Sequence, residues 1–566
     1  MSTLLCVPIM VEDLAPAMAD AEQARALGAD MVEFRVDQVF HGAGDTDGAA
    51  LVARLAHDSP LPCIVTCRPT SEGGEYDGDD ADRIALYERL GTDPAHHPPR
   101  YIDVELSTYS RSANLRQKVN LAVGHSGQMR EVATGLILSA HDFSGRPANL
   151  FSLLGKMREE SAARVLKLAW RARSLRDNLE VFDILRERDR PTIALAMGEY
   201  GLMSRVLAPK FGGFLTFASL RDTSATAPGQ PTLRELLDLY RFRSIAADTR
   251  VFGVIGWPVG HSMSPAVHNA GFEWLEGRSG VRRVAVEQSS DAPFRGVYLP
   301  LPIPAEWEHF KASLASLLDY GPLDFRGASV TLPHKEHLLR FAAEDTRRRW
   351  TIDPLARRVG SANTLVIADD GAARVLNTDV DAVVSALARG LGRPLSDLSG
   401  LRVVVLGAGG AARAAAVGVL DVGASVTFCN RGRERAEKLA AELGASGRRA
   451  QIMDLDQVKS SRPDVIINCT PVGMTGGPAP GETPVDLGSF AAGSEGPLVF
   501  DTVYNPLETP LLASAKRQGL RTIDGVEMFV AQAAAQFEAW TGLAPGLAPR
   551  ALFGRVVRET LGGEQA

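Results

Sequence analysis

No uncharged apolar stretch in this chain approaches the roughly 18–20 residues that a helix needs to cross a bilayer, which argues against a membrane protein. The beginning also lacks the layout of a secretion signal or a transit peptide, because MSTLLCVPIM runs almost at once into a strand-like segment, and a cytoplasmic location is expected. Cysteine is scarce: Cys6, Cys63, Cys67, Cys429 and Cys469 are odd in number, form no CxxC pair and all fall in strand-like runs. Reduced, buried thiols fit that pattern better than disulfides or a metal. The histidine pair with ligand-like spacing, His334 and His337 in PHKEHL, has no third partner and reads as a solvated helix start, so no metal is expected. Basic residues are not in excess: 61 lysines and arginines against 68 aspartates and glutamates give a net charge of −7. General nucleic-acid binding is therefore not expected, although local arginines can still receive an anion. Low-complexity tracts, long charge runs and internal repeats beyond strand–helix alternation are missing too.

What is present is ample. A chain of 566 residues exceeds the roughly 250–300 residues at which single cores stop growing, so more than one domain is expected. Hydrophobic residues at 45% and charged residues at 23% supply ordinary cores. Eight short apolar runs fill the first 220 residues: LLCVPIM from Leu4, MVEFRVD from Met31, CIVTCR from Cys63, YIDVELS from Tyr101, TGLILSAHD from Thr134, VLKLAW from Val165, TIALAM from Thr192 and FLTFAS from Phe214. Most are separated by stretches of helical spacing such as MADAEQARALG, and this alternation predicts a closed parallel (β/α)8 barrel. A loop rich in Ser, Thr, Pro and Gly from Thr223 to Thr232 leads into TLRELLDLYRF, the expected last helix of the barrel, and a short linker, roughly Ser244 to Arg250, precedes the next strand, VFGVIG.

In such a barrel the chemistry sits at the C-terminal ends of the strands. Arg68 closes the third run, His141 the fifth, and Lys167 lies inside the sixth. A lysine in an apolar strand has a bland explanation, an ion-paired head on a packed stem. The functional reading is an amine whose desolvation, helped by nearby cations, frees it to attack a ketone and form a Schiff base. The iminium then needs a base for the neighbouring carbon; His141 suits that role, with Glu72 to fix its tautomer. A lone histidine at a strand end is also often only hydrogen-bonded. Arg35, Arg68 and Arg205 would line the pocket for an acidic substrate.

The motifs EFRVD (33–37), TCRPTSEGG (66–74), SAHDF (139–143), KLA (167–169), MGEYGLMSR (197–205) and APGQPT (227–232) resemble type I 3-dehydroquinate dehydratase over residues 1–245. The resemblance implies that Lys167 forms the imine, His141 moves protons and Glu72 orients His141. It also implies that Glu33, Arg35, Arg68, Arg205 and Gln230 hold the ring hydroxyls and carboxylate. Thr226 stands where that family usually has serine, and it keeps the hydroxyl.

In the second half, LRVVVLGAGGAARAAAVGVL (401–420) reads as strand, glycine turn and helix, the order that places a pyrophosphate on a helix N-terminus. Gly407 permits the turn and Gly409 close backbone approach; Ala412 replaces the third glycine, and Ala408, Gly410 and Ala411 complete the expected cofactor cradle. A second strand, ASVTFCN, ends in Asn430-Arg431 where NAD sites usually carry an acid, with Arg433 and Arg435 close behind. A guanidinium at Arg431, with Arg435 near, points to the 2′-phosphate of NADP; Arg433 reads better as part of the charged helix face RGRERAEKLAAE.

Around this unit, GWPVGHSMSPAVHN (256–269), GASVTLPHK (327–335), SANTL (361–365), NTDVDA (377–382), INCTPVGM (467–474) and DGVEMFVAQAA (524–534) resemble shikimate dehydrogenase over residues 251–566. The resemblance implies a substrate-binding domain at 251–380, a Rossmann NADP-binding domain at 381–523 and C-terminal helices at 524–566 returning to the former. Ser262 and Ser264 would take the substrate carboxylate, Thr331, Asn363 and Gln532 its hydroxyls, and Ser329 would be a further substrate-binding residue. Lys335 and Asp379 would form the catalytic pair, with Tyr504, Gly525 and Met528 near the nicotinamide and Thr470 a further cofactor-binding residue. Chemistry agrees, since hydride transfer to a ketone leaves charge on oxygen that an ammonium can stabilise and protonate. PHKE alone would suit a solvent-exposed lysine before a helix. Ser329 replaces an asparagine frequent in single-function bacterial enzymes and resembles the plant bifunctional ones; Gly432 replaces a threonine, Val380 a glycine, and the stretch 271–325 is longer than usual.

Together the two halves predict that 3-dehydroquinate loses water in the barrel and that the 3-dehydroshikimate formed is reduced to shikimate with NADPH. A catabolic quinate or shikimate dehydrogenase using NAD is the nearest rival, disfavoured by Arg431. A non-catalytic sensor of the same ligands is the other, disfavoured by retention of Lys167, His141, Lys335 and Asp379.

Overall fold

The computed structural model describes residues 2–42, 44–93, 95–124, 133–222, 229–277, 294–444, 450–488, 490 and 496–563. The chain divides into two compact units, Met1–Thr249 with Ser316–Pro322, and Arg250–Ala315 with Leu323–Ala566.

The apolar runs of the first unit become eight parallel strands: β1 (Leu4–Met10), β2 (Met31–Arg35), β3 (Cys63–Thr66), β4 (Tyr101–Glu105), β5 (Gly135–Asp142), β6 (Ala163–Arg171), β7 (Thr192–Met197) and β8 (Leu215–Phe217). Their order is β7-β6-β5-β4-β3-β2-β1-β8, and the Phe214 amide, just before β8, donates to Thr192 O at the start of β7 at 2.9 Å, bringing the ring's two edges together. Burial on both faces explains why these strands are near-continuous apolar runs. Outer helices start where aspartates accept their first free amides: Asp13 before Leu14–Ala26, Asp45 before Thr46–Asp58 and Asp79 before Asp80–Thr92. The predicted last helix winds more widely than an α-helix over Glu235–Leu239, the Tyr240 amide bonding Glu235 O at 2.9 Å, five residues back.

Side-chain alternation along the strands sorts the barrel interior into layers. Met31, Ile64, Tyr101, Ile137 and Val165 belong to the apolar cluster that fills the lower barrel. Two residues further along each strand stand Glu33, Thr66, Asp103, Ser139 and Lys167, all buried. The sequence therefore switches from oil to polar groups within one step of the pleat, towards the strands' C-terminal ends.

The second unit holds two six-stranded sheets. In the first, β9 (Arg250–Gly256), β10 (Gly296–Pro302), β11 (Phe325–Val330), β12 (Trp350–Ile352), β13 (Thr364–Ile367) and β14 (Ala373–Leu376) are ordered β10-β9-β11-β13-β14-β12, with β13 antiparallel to both neighbours. The second consists of β15 (Arg402–Leu406), β16 (Ser425–Cys429), β17 (Ala450–Ile452), β18 (Val465–Asn468), β19 (Leu498–Asp501) and β20 (Thr522–Ile523). Its parallel order β17-β16-β15-β18-β19-β20 reverses beside β15, the crevice where a Rossmann sheet binds its dinucleotide. The helix Gly525–Thr541 packs Val526, Phe529, Phe537 and Trp540 with Phe252 and Phe272 of the first sheet's core, while Met528 and Ala531 join the core of the second.

Candidate functional sites

At the C-terminal mouth of the barrel a pocket is lined by Glu33, Arg35, Arg68, Glu72, His141, Lys167, Arg205 and Gln230. Each of these was expected from sequence. Thr226, expected with them, lies outside the described residues.

Lys167 is 5% exposed. Cations nearby were expected to help free its amine, but the charged groups that touch it are carboxylates: Nζ lies 2.8 Å from Asp103 Oδ2 and 3.3 Å from Glu33 Oε1, with the Phe217 ring centroid at 4.6 Å. Burial opposes ionisation of Asp103, but Arg68 and Lys167 more than offset it and hold that carboxyl well below the usual range. Arg68 in turn meets Asp103 at 2.9 Å and Glu105 at 2.6 Å, and Glu105 meets the buried Arg83 at 2.7 Å. Charges thus alternate in a buried chain from Arg83 through Glu105, Arg68 and Asp103 to Lys167.

His141 Nδ1 lies 3.1 Å from Glu72 Oε2, and its backbone amide donates to the same oxygen at 3.2 Å. Ser107 Oγ donates to the other oxygen at 2.6 Å. Burial, then Arg68 and Lys167, push His141 well below the ordinary histidine range, while burial pushes Glu72 up to about 7. The imidazole is therefore neutral at neutral pH. With Nδ1–H donating to the carboxylate, Nε2 is left with its lone pair free for a proton.

The arginines divide. Arg35 is held by its own neighbour Asp37 through two bonds, at 3.0 and 2.7 Å. Arg205, 1% exposed, has Nε and Nη2 without a hydrogen-bond partner among the described residues, and burial alone lowers it to about 10. A buried guanidinium of this kind is a receptor for an anion. Asp103, Glu105, Ser139, Phe143 and Phe217 escaped the reading of the sequence. The first three were detectable, since Asp103 and Glu105 alternate with apolar residues in YIDVE and Ser139 precedes His141 by two.

In the second unit, Lys335 and Asp379 each open a helix, Lys335–Glu344 and Asp379–Leu391, and meet at 2.5 Å between Nζ and Oδ2. Asn363 Nδ2 donates to Asp379 Oδ1 at 2.9 Å and Gln532 Oε1 at 3.2 Å, so four expected residues converge. The Ser264 amide donates to Ser262 Oγ at 3.3 Å, and Ser329 Oγ is hydrogen-bonded to the buried hydroxyl of Tyr298, a residue the sequence did not single out. Thr331 follows β11, its amide on Ile255 O at 2.9 Å; the Tyr504 ring packs against Phe529 at a tilt of 38°, centroids 4.6 Å apart. Burial raises the Tyr504 phenol, against hydrogen bonds from the Met263 backbone and Ser262.

His334 corrects its expected solvated position. It is fully buried, with Nε2 at 2.8 Å from Ile303 O and Nδ1 at 3.0 Å from His337 Nδ1. Donation to the carbonyl fixes Nε2 as the protonated nitrogen. The five cysteines are free thiols, all buried except the partly buried Cys469.

The cradle fits NADP. Gly407 adopts φ +108°, and a Cβ there would stand 3.2 Å from both Cys469 O and Thr470 Cγ2; at Gly409, which precedes the helix Gly410–Asp421, a Cβ would meet nothing within 4 Å. The open ground above Gly409 and the helix's free amides, with Ala408, Gly410 and Ala411, suit a pyrophosphate. Arg431 follows β16 beside Asn430 with its side chain 75% exposed, 3.7 Å from Glu482, which is also exposed, whereas Arg433 is engaged by Glu437 and Asp454 at 3.0 Å each. Arg435 lies in the exposed first turn of the helix Arg433–Gly444. Thr470 Oγ1 donates to Asn468 Oδ1 at 2.7 Å, Met528 is buried, and Gly525 admits no side chain, since a Cβ would lie 2.3 Å from Val503 O.

Comparison with known proteins agrees on both halves. The family described as type I 3-dehydroquinase matches residues 5–247, the shikimate dehydrogenase substrate binding domain residues 254–365, the shikimate / quinate 5-dehydrogenase family residues 391–473, and the shikimate 5′-dehydrogenase C-terminal domain residues 525–549. The chloroplastic bifunctional 3-dehydroquinate dehydratase/shikimate dehydrogenase of Arabidopsis thaliana is 37% identical over 571 residues, covering 98% of this chain and 84% of the relative. The shikimate dehydrogenase (NADP(+)) of Paramagnetospirillum magneticum is 37% identical over 304 residues, 53% of this chain and 96% of its own. A solved shikimate 5-dehydrogenase from Thermus thermophilus, in complex with NADP(H) and shikimate, is 31% identical with a TM-score of 0.42, covering 55% of this chain and all of that one (100%). With family matches in both halves and a relative matched along nearly the whole length, the chain belongs to the family of bifunctional type I 3-dehydroquinate dehydratase/shikimate dehydrogenases.

Proposed function

We propose that Lys167, His141 and Glu72 carry out the first of two consecutive reactions and that Lys335 and Asp379 carry out the second. The reactions are the dehydration of 3-dehydroquinate to 3-dehydroshikimate through a lysine Schiff base and the NADPH-dependent reduction of 3-dehydroshikimate to shikimate. The observation that supports this assignment best is the position of Lys167, a nearly buried amine facing the same pocket as a neutral histidine.

In the barrel, Lys167 Nζ adds to the ketone carbon and water leaves, giving an iminium. The iminium draws electrons from the adjacent carbon, whose proton passes to His141 Nε2, and the resulting enamine expels the neighbouring hydroxyl as water after it takes up a proton. Hydrolysis of the imine releases the enone and restores Lys167. Glu72 keeps Nδ1–H of His141 occupied, so Nε2 remains the basic nitrogen. Arg205 receives the carboxylate, while Glu33, Arg35, Arg68, Thr226 and Gln230 surround the ring.

In the second unit NADPH, when bound, supplies the hydride. Lys335 donates the proton that neutralises the developing alkoxide, and Asp379, held by Asn363, keeps the ammonium aimed at that oxygen. Gln532, Thr331, Ser262, Ser264, Ser329 and Tyr504 hold the ring and carboxylate, and Arg431, with Asn430 and Arg435, faces the 2′-phosphate. The domains are drawn at 1–245, 251–380, 381–523 and 524–566. Among the described residues no helix is long and apolar enough to cross a membrane. The five unpaired thiols support a reducing, cytoplasmic setting.

Borohydride added during turnover with 3-dehydroquinate should reduce the imine and mark one peptide. The adduct is expected on Lys167; an adduct elsewhere, or none with active protein, would overturn the assignment.

A further inference from the structure

Asp103 contacts the reacting nitrogen from a position where it can do little else. It is fully buried, and its Oδ2 receives both Lys167 Nζ at 2.8 Å and Arg68 Nη2 at 2.9 Å. Its other oxygen accepts from Ser139 Oγ at 2.6 Å, and that hydroxyl accepts in turn from Arg68 Nη1 at 2.9 Å. Three groups on two strands and a strand end thus fix the carboxylate in plane and direction. Glu33, the other carboxylate near Nζ, is farther away at 3.3 Å and is shared with Thr66.

Resting on the assignment of Lys167 as the imine-forming residue, we infer that Asp103 is a catalytic residue, the counter-ion of the protonated imine and the group that sets the direction of the amine's attack. Nitrogen keeps at least one N–H through ammonium, free amine, carbinolamine and iminium, so a fixed acceptor can hold it throughout. At the iminium stage the nitrogen has a full positive charge and a single N–H, at a position that is nearly buried. A buried cation with no adjacent anion is costly, whereas one already facing a carboxylate is not. The carboxylate remains ionised because Arg68 and Lys167 hold it so, and it therefore does not compete for the protons His141 moves.

The test is the rate at which borohydride, added at successive times to 3-dehydroquinate and the full chain, captures the Lys167 peptide. Asp103→Asn keeps the shape but not the charge and should slow capture by at least about tenfold, because a charge-assisted bond becomes a neutral one. Reduction of 3-dehydroshikimate by the same chain should stay unchanged. Glu105→Gln removes a buried carboxylate that touches Arg68 and Arg83 but not Lys167, and should slow capture by a clearly smaller factor than Asp103→Asn does. If Asp103→Asn does not fold, Ser139→Ala, which only unlocks the carboxylate, should slow capture by a smaller but measurable factor. Capture at the wild-type rate in Asp103→Asn, or in Ser139→Ala where that variant stands in, overturns the inference, as does an equal loss in Glu105→Gln. A wild-type adduct away from Lys167 would instead overturn the assignment on which the inference rests.

Discussion

Lys335 lies against Gly410, the first residue of the dinucleotide helix: a Cβ built on Gly410 would stand 3.2 Å from Lys335 Cδ. The expected catalytic lysine of one sheet's domain is therefore braced by the cofactor turn of the other. Gly410→Ala asks the lysine to move by a few tenths of an ångström, which a flexible stem accommodates. Gly410→Val does not leave that option. It should cut kcat for reduction by roughly tenfold or more through displacement of the ammonium, with dehydration unchanged, as steady-state rates of both reactions will show.

The pH dependence of dehydration follows from the Glu72–His141 pair. Burial raises Glu72 to about 7 and pushes His141 well below its usual range, so Glu72 is the member that titrates near neutrality. Ionised Glu72 is much the stronger acceptor for Nδ1–H and the form that stabilises the imidazolium His141 becomes on taking a proton. The value of kcat/KM should accordingly rise with pH through about 7, and Glu72→Gln should abolish that limb while lowering the plateau roughly tenfold or more. A folded pKa above the ordinary 4.5 also means that Glu72 contributes stability below 4.5 that is lost as pH rises through about 7. Thermal midpoints of wild type and Glu72→Gln should therefore diverge across that window, the wild type losing ground as pH increases.

Cofactor choice rests on Arg431, exposed at the end of β16 where an acidic ribose ligand is absent. Arg431→Asp should raise KM for NADPH by at least about tenfold, since one charge-assisted phosphate contact is worth roughly 1.5–3 kcal/mol. Activity with NADH should fall much less. Equal losses with both cofactors would show that Arg431 supports the fold instead.

Much of this molecule could be read from its residues because period and chemistry coincide. The eight barrel runs are buried on both faces and so appear as uninterrupted apolar segments, and Lys167 stands out against them. Asp103 was hidden for the same reason: in YIDVE an acid between apolar residues reads as ordinary alternation, and only the barrel's curvature shows that its inward face meets Lys167 and Arg68. Whether an arginine keeps its charge for a substrate is likewise a matter of neighbours in space. Arg35 spends its hydrogen bonds on Asp37, whereas Arg205 has Nε and Nη2 without a partner among the described residues. His334 looked solvated because PHKEHL is polar, yet a carbonyl at Ile303, far away in sequence, provides its buried partner. The wide turn at Glu235–Leu239 left no trace in a pattern that suits an α-helix equally well.

The central claim is that one chain holds two complete and separate active sites working in succession. No residue assigned to imine chemistry lies beyond Gln230, and none assigned to hydride transfer lies before Ser262, so each set falls within its own compact unit. The direct measurement follows 3-dehydroquinate with NADPH in the presence of the double variant Lys335→Ala, Asp379→Asn. Dehydration should proceed at nearly the wild-type rate, and 3-dehydroshikimate should accumulate, visible by its conjugated-enone absorbance, with no NADPH consumed. A folded double variant that no longer dehydrates 3-dehydroquinate would contradict the account.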